Sequence, residues 1–199
     1  PSQFMENFCW EWDVVKHMTE HVDNKNTLPK SLFDKMIEAK NFQSALQMLR
    51  QIEFALFDIL LYSQEPPKDA LALQQALDDV RREIAVMIPP EFNRFQHSFS
   101  HIFAGGYAAG YYSYLWAEVL SADCYLAFTE TIDGEIRSIK HEKRSTLGQR
   151  FLQEILALGS VRPAIEHFKA FMNREPRLDA LLTLYGLSGT EHIGASHAA

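Results

Sequence analysis

Phe42, Leu46, Leu49, Ile52, Leu56 and Leu60 recur at intervals of three and four residues, so all of them share one face if the chain is wound as an α-helix. The same spacing returns along most of the chain, and no stretch shows the alternation of a half-buried strand. Phe4, Phe8, Cys9, Trp12, Val15 and Met18 carry it near the start. Leu32, Phe33, Met36 and Ile37 carry it in a short segment, and Leu73, Leu77, Val80, Ile84 and Met87 in a longer one. "VDNKNTLP", "SQEPPKD" and "IPPEF" interrupt these runs, because proline removes a helix donor and clashes with the preceding turn. Asn41 stands where it would cap the helix that carries Phe42. Tyr112 to Phe128 reads as a strongly apolar, buried helix and "TIDGE" as a turn. A helix over 145–158 ends at Gly159, and shorter ones follow at 163–172 and 178–185. With no strand pair, internal repeat or low-complexity linker, the fold class is all-α. We expect a helical bundle forming one domain over residues 1–187. The tail at 188–199, "SGTEHIGASHAA", has no periodicity and is expected to be flexible.

The 199 residues suffice for one substantial core, and 47% hydrophobic with 23% charged residues is ordinary for a globular protein. No run approaches the roughly 20 consecutive apolar residues of a membrane span. The net charge of −7, without any basic stripe, speaks against nucleic acid. Neither a membrane nor a nucleic acid is therefore an expected partner. The opening "PSQFMENFCWEW" has neither the basic nor the apolar region of a signal peptide. It starts in mid-pattern, which fits a chain cut from something longer and equally one whose initiator Met was removed. Cys9 and Cys124 lie far apart and form no CxxC, so reduced cytoplasmic thiols used for buried packing are expected.

Few motifs carry chemistry. "HMTEH" at 17–21 matches the H-x-x-E-H pattern, in which His17 and His21 share a helix face and Glu20 serves as general base. Read so, the chain would be a small metalloprotein. A catalytic zinc needs a third ligand, which no spacing identifies, and a solvated polar helix end accounts for the same residues. His97 and His101 repeat the spacing beside glycines, with no acidic partner between them. Nucleophile elbows and phosphate-cradling loops are absent, and the carboxylates are scattered with no reason to pair any two as acid and base.

The segment "SHIFAGGYAAGYYSYLWAEVL", residues 100–120, is richer. Tyr107, Tyr111 and Tyr114 fall at i, i+4 and i+7, one face of a helix beginning near Gly106, while Tyr112 and Trp116 fall on another and would serve packing. Aromatic stripes of this kind commonly belong to a core. His101 and the Gly105–Gly106 pair point elsewhere, since glycine admits backbone angles and close approaches closed to other residues. Phenols are protonated at neutral pH and donate hydrogen bonds, as an oxyanion in acyl transfer requires. The residues alone leave core and site both open.

"HIFAGGYAAGYYSYLWAEVLSADCY" resembles a catalytic-domain segment of the thimet oligopeptidase family of zinc metallopeptidases. Three further blocks follow the family's order. "PSQFMENFCWEW" is similar to the stretch after its third zinc ligand, and "LPKSLFDKMIEAKNFQSALQMLRQIEFALFD" to the helical pair that follows. "FLQEILALGSVRPAIEHFKAFMNREPRLDALLTLYGL" is similar to its closing helices. The resemblance implies the C-terminal part of a zincin-like oligopeptidase catalytic domain, with a Gly-rich loop near 101–110. It implies that His101 contacts substrate and supports the intermediate, that Tyr107 hydrogen-bonds substrate from the same loop, that Tyr114 donates to the oxyanion with their help, making these three catalytic, and that Tyr111 is a further substrate contact. Gly105 and Gly106 become the flexible part of a loop that closes on peptide.

The family's zinc is held by a His-Glu-x-x-His helix and a later Glu, and no such motif occurs here. The third-ligand Glu falls just upstream of Pro1. The expectation is therefore a fragment of a cytoplasmic zinc endopeptidase acting on short peptides. Zinc belongs to the parent enzyme, none is bound by this chain, and the isolated chain is inactive without the missing N-terminal part. A helical module that grips peptides without cutting them is the alternative.

Overall fold

Helical spacing becomes helix almost everywhere it occurs in the computed structural model, which describes residues 1–132 and 135–187 and, between 131 and 137, the backbone alone. The tail at 188–199 and the centre of the "TIDGE" turn lie outside the described residues. The helices are α1 (Ser2–Phe8), α2 (Trp12–Met18), α3 (Lys30–Lys40), α4 (Ser44–Ser63), α5 (Ala70–Ile84), α6 (Ser100–Phe103), α7 (Ser113–Leu126), α8 (His141–Phe151), α9 (Ala164–Met172) and α10 (Asp179–Leu184). A 3₁₀ turn spans Phe95–His97, and a π-helical turn at Leu152–Leu156 extends α8. The chain is all-α, as its periodicity requires. Among the described residues, no helix is long and apolar enough to cross a membrane.

Three expectations need correction. The flanks of "TIDGE" pair as an antiparallel hairpin, β1 (Thr129–Ile132) with β2 (Glu135–Ser138), Thr129 lying opposite Ser138. The run from Phe4 to Met18 is two helices, not one. The chain breaks at Glu11, whose backbone is extended and whose carboxylate accepts from the Tyr125 hydroxyl at 3.0 Å and from Arg144 at 2.8 Å. Asn41 ends α3 and does not cap α4, which starts only after Gln43 has taken a left-handed turn.

The residues group into two compact units. One comprises Pro1–Phe42 and the chain from Ala117 onward. Its core gathers Phe4, Cys124, Tyr125, Phe128, Phe151, Phe168 and Phe171. The buried Asp123 carboxylate takes both Arg174 guanidinium nitrogens, at 2.6 and 2.7 Å, and the Arg177 N–H at 2.8 Å. Cys124 is packed here as expected, and burial pushes its thiol pKa up to about 12. Cys9, expected to be buried as well, is exposed at the end of α1.

The other unit, Gln43–Trp116, is built on α4 and α5, and its core is Phe57, Leu77, Val80, Phe99 and Ile102. A buried ion pair links the two helices. Arg81 donates to Glu53 at 3.1 Å and to the Asn93 side-chain oxygen at 2.8 Å, while Arg50 adds a second bond to Glu53 at 2.9 Å. With both partners engaged this way, α4 is a fixed support for the loop that packs on it.

Candidate functional site

The loop after α6 is shaped by its glycines. His101 lies in the single turn of α6, whose end is closed by the Gly105 N–H on the Ser100 carbonyl at 2.7 Å. The Tyr107 N–H then returns to the His101 carbonyl at 3.0 Å. A Cβ on Gly105 would stand 3.0 Å from that same carbonyl oxygen, so only glycine fits without displacing backbone. Gly106 has φ +77°, in the left-handed region. Ala109, at φ +53°, is left-handed without being glycine.

These two left-handed residues stop a helix from beginning near Gly106, and α7 begins at Ser113 instead. Tyr107 and Tyr111 therefore stand on the loop and only Tyr114 is on the helix, which corrects the expectation of one helical face. The four side chains meet nonetheless. The Tyr107 and Tyr114 rings stack with centroids 5.3 Å apart, and Tyr111 lies 5.2 Å from Tyr114. The His101 ring is 5.5 Å from Tyr111, 6.1 Å from Tyr107 and 6.2 Å from Tyr114.

Their surroundings divide them. Tyr107 and Tyr114 are more than a third exposed, and His101 is exposed too. A hydrogen bond with the Tyr107 side chain, with lesser help from desolvation, raises the Tyr114 pKa above that of an ordinary phenol. Tyr111 is embedded: its ring lies 5.0 Å from Phe99, its hydroxyl donates to the Gln51 side-chain oxygen at 2.9 Å, and burial raises its pKa. Tyr112 and Trp116, expected to pack, are exposed.

Sequence reasoning missed the groups that hold the loop. The Asp58 carboxylate on α4 accepts from the backbone N–H of Ala109 and of Tyr111, each at 2.9 Å, and the Tyr62 hydroxyl donates to the Ile102 carbonyl at 2.8 Å. The available signal was a single acid inside the apolar run "FALFDILL".

The histidine pairs make no metal site. Helix α2 ends at Met18, and Thr19 turns the backbone to extended angles. Glu20 and His21 consequently leave the face of His17. Glu20 pairs with Lys25 at 2.8 Å, and His21 Nδ1 accepts from the Asp23 N–H at 3.2 Å. His97 ends the 3₁₀ turn, so it and His101 do not occupy successive turns of one helix. Among the described residues, no three His, Cys, Asp or Glu side chains gather as a metal site, and those residues do not fit a zinc centre.

An all-α scaffold that displays imidazole and phenol groups around a glycine-built loop can offer hydrogen bonds to developing negative charge. The chain belongs to peptidase family M3, which it matches over residues 1–187. It is 48% identical over 189 residues to oligopeptidase A of Salmonella typhimurium and 47% identical to oligopeptidase A of Escherichia coli. To saccharolysin of Saccharomyces cerevisiae it is 29% identical over 188 residues. Each alignment covers 94–95% of this chain, but only 26% of either oligopeptidase A and 25% of saccharolysin, so the chain spans about a quarter of the length of these relatives.

Proposed function

We propose that this chain is the oxyanion-stabilising and substrate-contacting part of a cytoplasmic zinc oligopeptidase that hydrolyses short peptides. The observation that carries the reading is the convergence of the His101, Tyr107, Tyr111 and Tyr114 rings around the glycine-built loop, with Tyr107 and Tyr114 exposed. During amide hydrolysis the scissile carbonyl carbon becomes tetrahedral and its oxygen gathers negative charge. Tyr114 donates its hydroxyl proton to that oxygen in a hydrogen bond, aided by Tyr107 and His101. A phenol keeps its proton at neutral pH, so the interaction is a hydrogen bond and not a proton transfer. Tyr111 is embedded with its hydroxyl held by Gln51, so it contributes its ring edge and its backbone, whereas the exposed Tyr114 hydroxyl exchanges its bond with the Tyr107 side chain for the oxyanion. Gly105 and Gly106 allow the loop to fold back on His101 and place Tyr107 beside Tyr114.

In the complete enzyme zinc supplies a Lewis acid and an activated water, and its ligands belong to the part of the protein that this chain does not contain. The chain alone is inactive. Its partners are short peptides and the remainder of the same enzyme, and neither a membrane nor a nucleic acid is among them.

The test is Tyr114→Phe in the complete protein, assayed on a short peptide. Loss of one oxyanion donor lowers kcat by about 10²–10³-fold and leaves peptide affinity nearly intact. An unchanged kcat would refute the role. Peptide hydrolysis by the isolated chain would refute its inactivity.

A further inference from the structure

Gln51, Asp58 and Tyr62 are spaced seven and four residues apart, which puts them on one face of α4. Each is bonded to a different part of the donor loop. Gln51 takes the Tyr111 hydroxyl, Asp58 takes two backbone amides, and Tyr62 gives its hydroxyl to the carbonyl of Ile102, next to His101.

Asp58 differs from the other two. Its exposure is 0%, and no cation pairs with it among the described residues. A carboxylate removed from water is costly unless hydrogen bonds replace its hydration, and the donors that replace it here are the Ala109 and Tyr111 amides. The left-handed angle of Ala109 belongs to the same arrangement. A left-handed residue within a short turn aims nearby amides at one point, forming a backbone nest for an anion. A non-glycine residue keeps such an angle only where its surroundings impose it. The anion in this nest is part of the protein itself, and it stands on the helix fixed by the Glu53–Arg81 pair.

We propose that Asp58 is the positioning residue of the donor cluster. It touches no substrate. It fixes the backbone of Tyr111, whose carbonyl receives the Tyr114 N–H at 3.2 Å, and so sets where the Tyr114 phenol stands when the oxyanion forms. The proposal rests on the oxyanion role of Tyr114.

Asp58→Asn keeps the side-chain shape but turns an NH₂ group against one of the two loop amides. In the complete protein we expect kcat to fall by tenfold or more, towards the roughly 10²-fold that an ångström of misplacement costs, with KM little changed. The decisive measurement is the double variant with Tyr114→Phe. Because Asp58 acts through Tyr114, Asp58→Asn should cost little kcat once the phenol is gone. If Tyr114→Phe lowers kcat and Asp58→Asn multiplies that loss in full, Asp58 is not positioning Tyr114 and the proposal is overturned while the oxyanion reading stands. If Tyr114→Phe leaves kcat unchanged, the oxyanion reading fails and takes the proposal with it. Should Asp58→Asn not fold, amide hydrogen exchange on the unaltered protein decides. Slow exchange at Ala109 and Tyr111 relative to exposed loop amides supports the proposal, and exchange as fast as theirs overturns it.

Discussion

The two adjacent glycines of the loop should fail differently when each is replaced by alanine. At Gly106 an added Cβ meets no atom within 4 Å, and the only obstacle is the backbone angle, φ +77°. Left-handed geometry costs an L-residue about 1–2 kcal/mol. Part of this is offset, because alanine loses less conformational entropy on folding than glycine, by about 0.4–1 kcal/mol. The net loss for Gly106→Ala is therefore about 1 kcal/mol, with the site geometry intact, and Ala109 already tolerates such an angle nearby. At Gly105 the angle is unremarkable, but the Cβ would lie 3.0 Å from the His101 carbonyl oxygen and 3.1 Å from its Cα. Backbone has no flexible end that can swing aside, so the His101 turn must shift. The Tyr107 N–H bonded to that carbonyl shifts with it. Overpacking of this kind costs about 1–3 kcal/mol, and the displacement of both donors lowers kcat tenfold or more. Urea unfolding and steady-state peptide hydrolysis on the complete protein measure the two effects separately. If Gly106→Ala loses as much kcat as Gly105→Ala, then loop freedom matters and not the close approach at His101, and the steric reasoning is wrong.

The buried pair of α4 and α5 gives a stability prediction. Glu53→Ala leaves the Arg81 guanidinium without its carboxylate and should cost about 3–5 kcal/mol, whereas the double replacement Glu53→Leu with Arg81→Met should cost distinctly less; equal losses in urea unfolding would contradict this. Cys124 predicts a fall in stability at alkaline pH. The native thiol keeps its proton to about pH 12, whereas an unfolded thiol releases it near pH 8.5. Between those values the unfolded state binds fewer protons, so stability drops as pH rises, by at most about 1.4 kcal/mol per unit. Cys124→Ala should flatten that part of the profile. Iodoacetamide at about pH 8 should label Cys9 in the native chain and reach Cys124 only after unfolding, as peptide mapping would show.

The helices were legible because burial on one face imprints a period on the sequence, as the stripe of α4 and that of α5 show. Their ends were not, because the competing bonds come from distant residues. Glu11 leaves the helical path to serve Tyr125 and Arg144, which lie far along the chain. The hairpin escaped notice because two four-residue strands are too short for alternation to stand out, although Asp-Gly at its centre is a recognised hairpin signal. The donor cluster was legible as a set of residues, but the geometry inferred for it was not the observed one. Helical spacing suggested a shared face for Tyr107, Tyr111 and Tyr114, whereas a glycine-broken loop brings them together. Asp58 could not be read as a support, since one acid in an apolar helix looks the same whether it faces water or a loop amide.

Helix α4 carries two sets of instructions in its 20 residues. Phe57 and its apolar neighbours set how the helix seats against the core, and Gln51, Asp58 and Tyr62 set how the loop seats against the helix. Both sets are read from one rigid register of about 100° per residue. One residue inserted between Gln51 and Tyr62 would rotate the two patterns out of step, and no local repair could restore both. The "QEPPKD" connection just beyond the helix imposes no such phase and can change length freely. In descent, the loop from His101 to Tyr111 should therefore tolerate drift in its neighbours' loops far better than a shift within the helix that supports it.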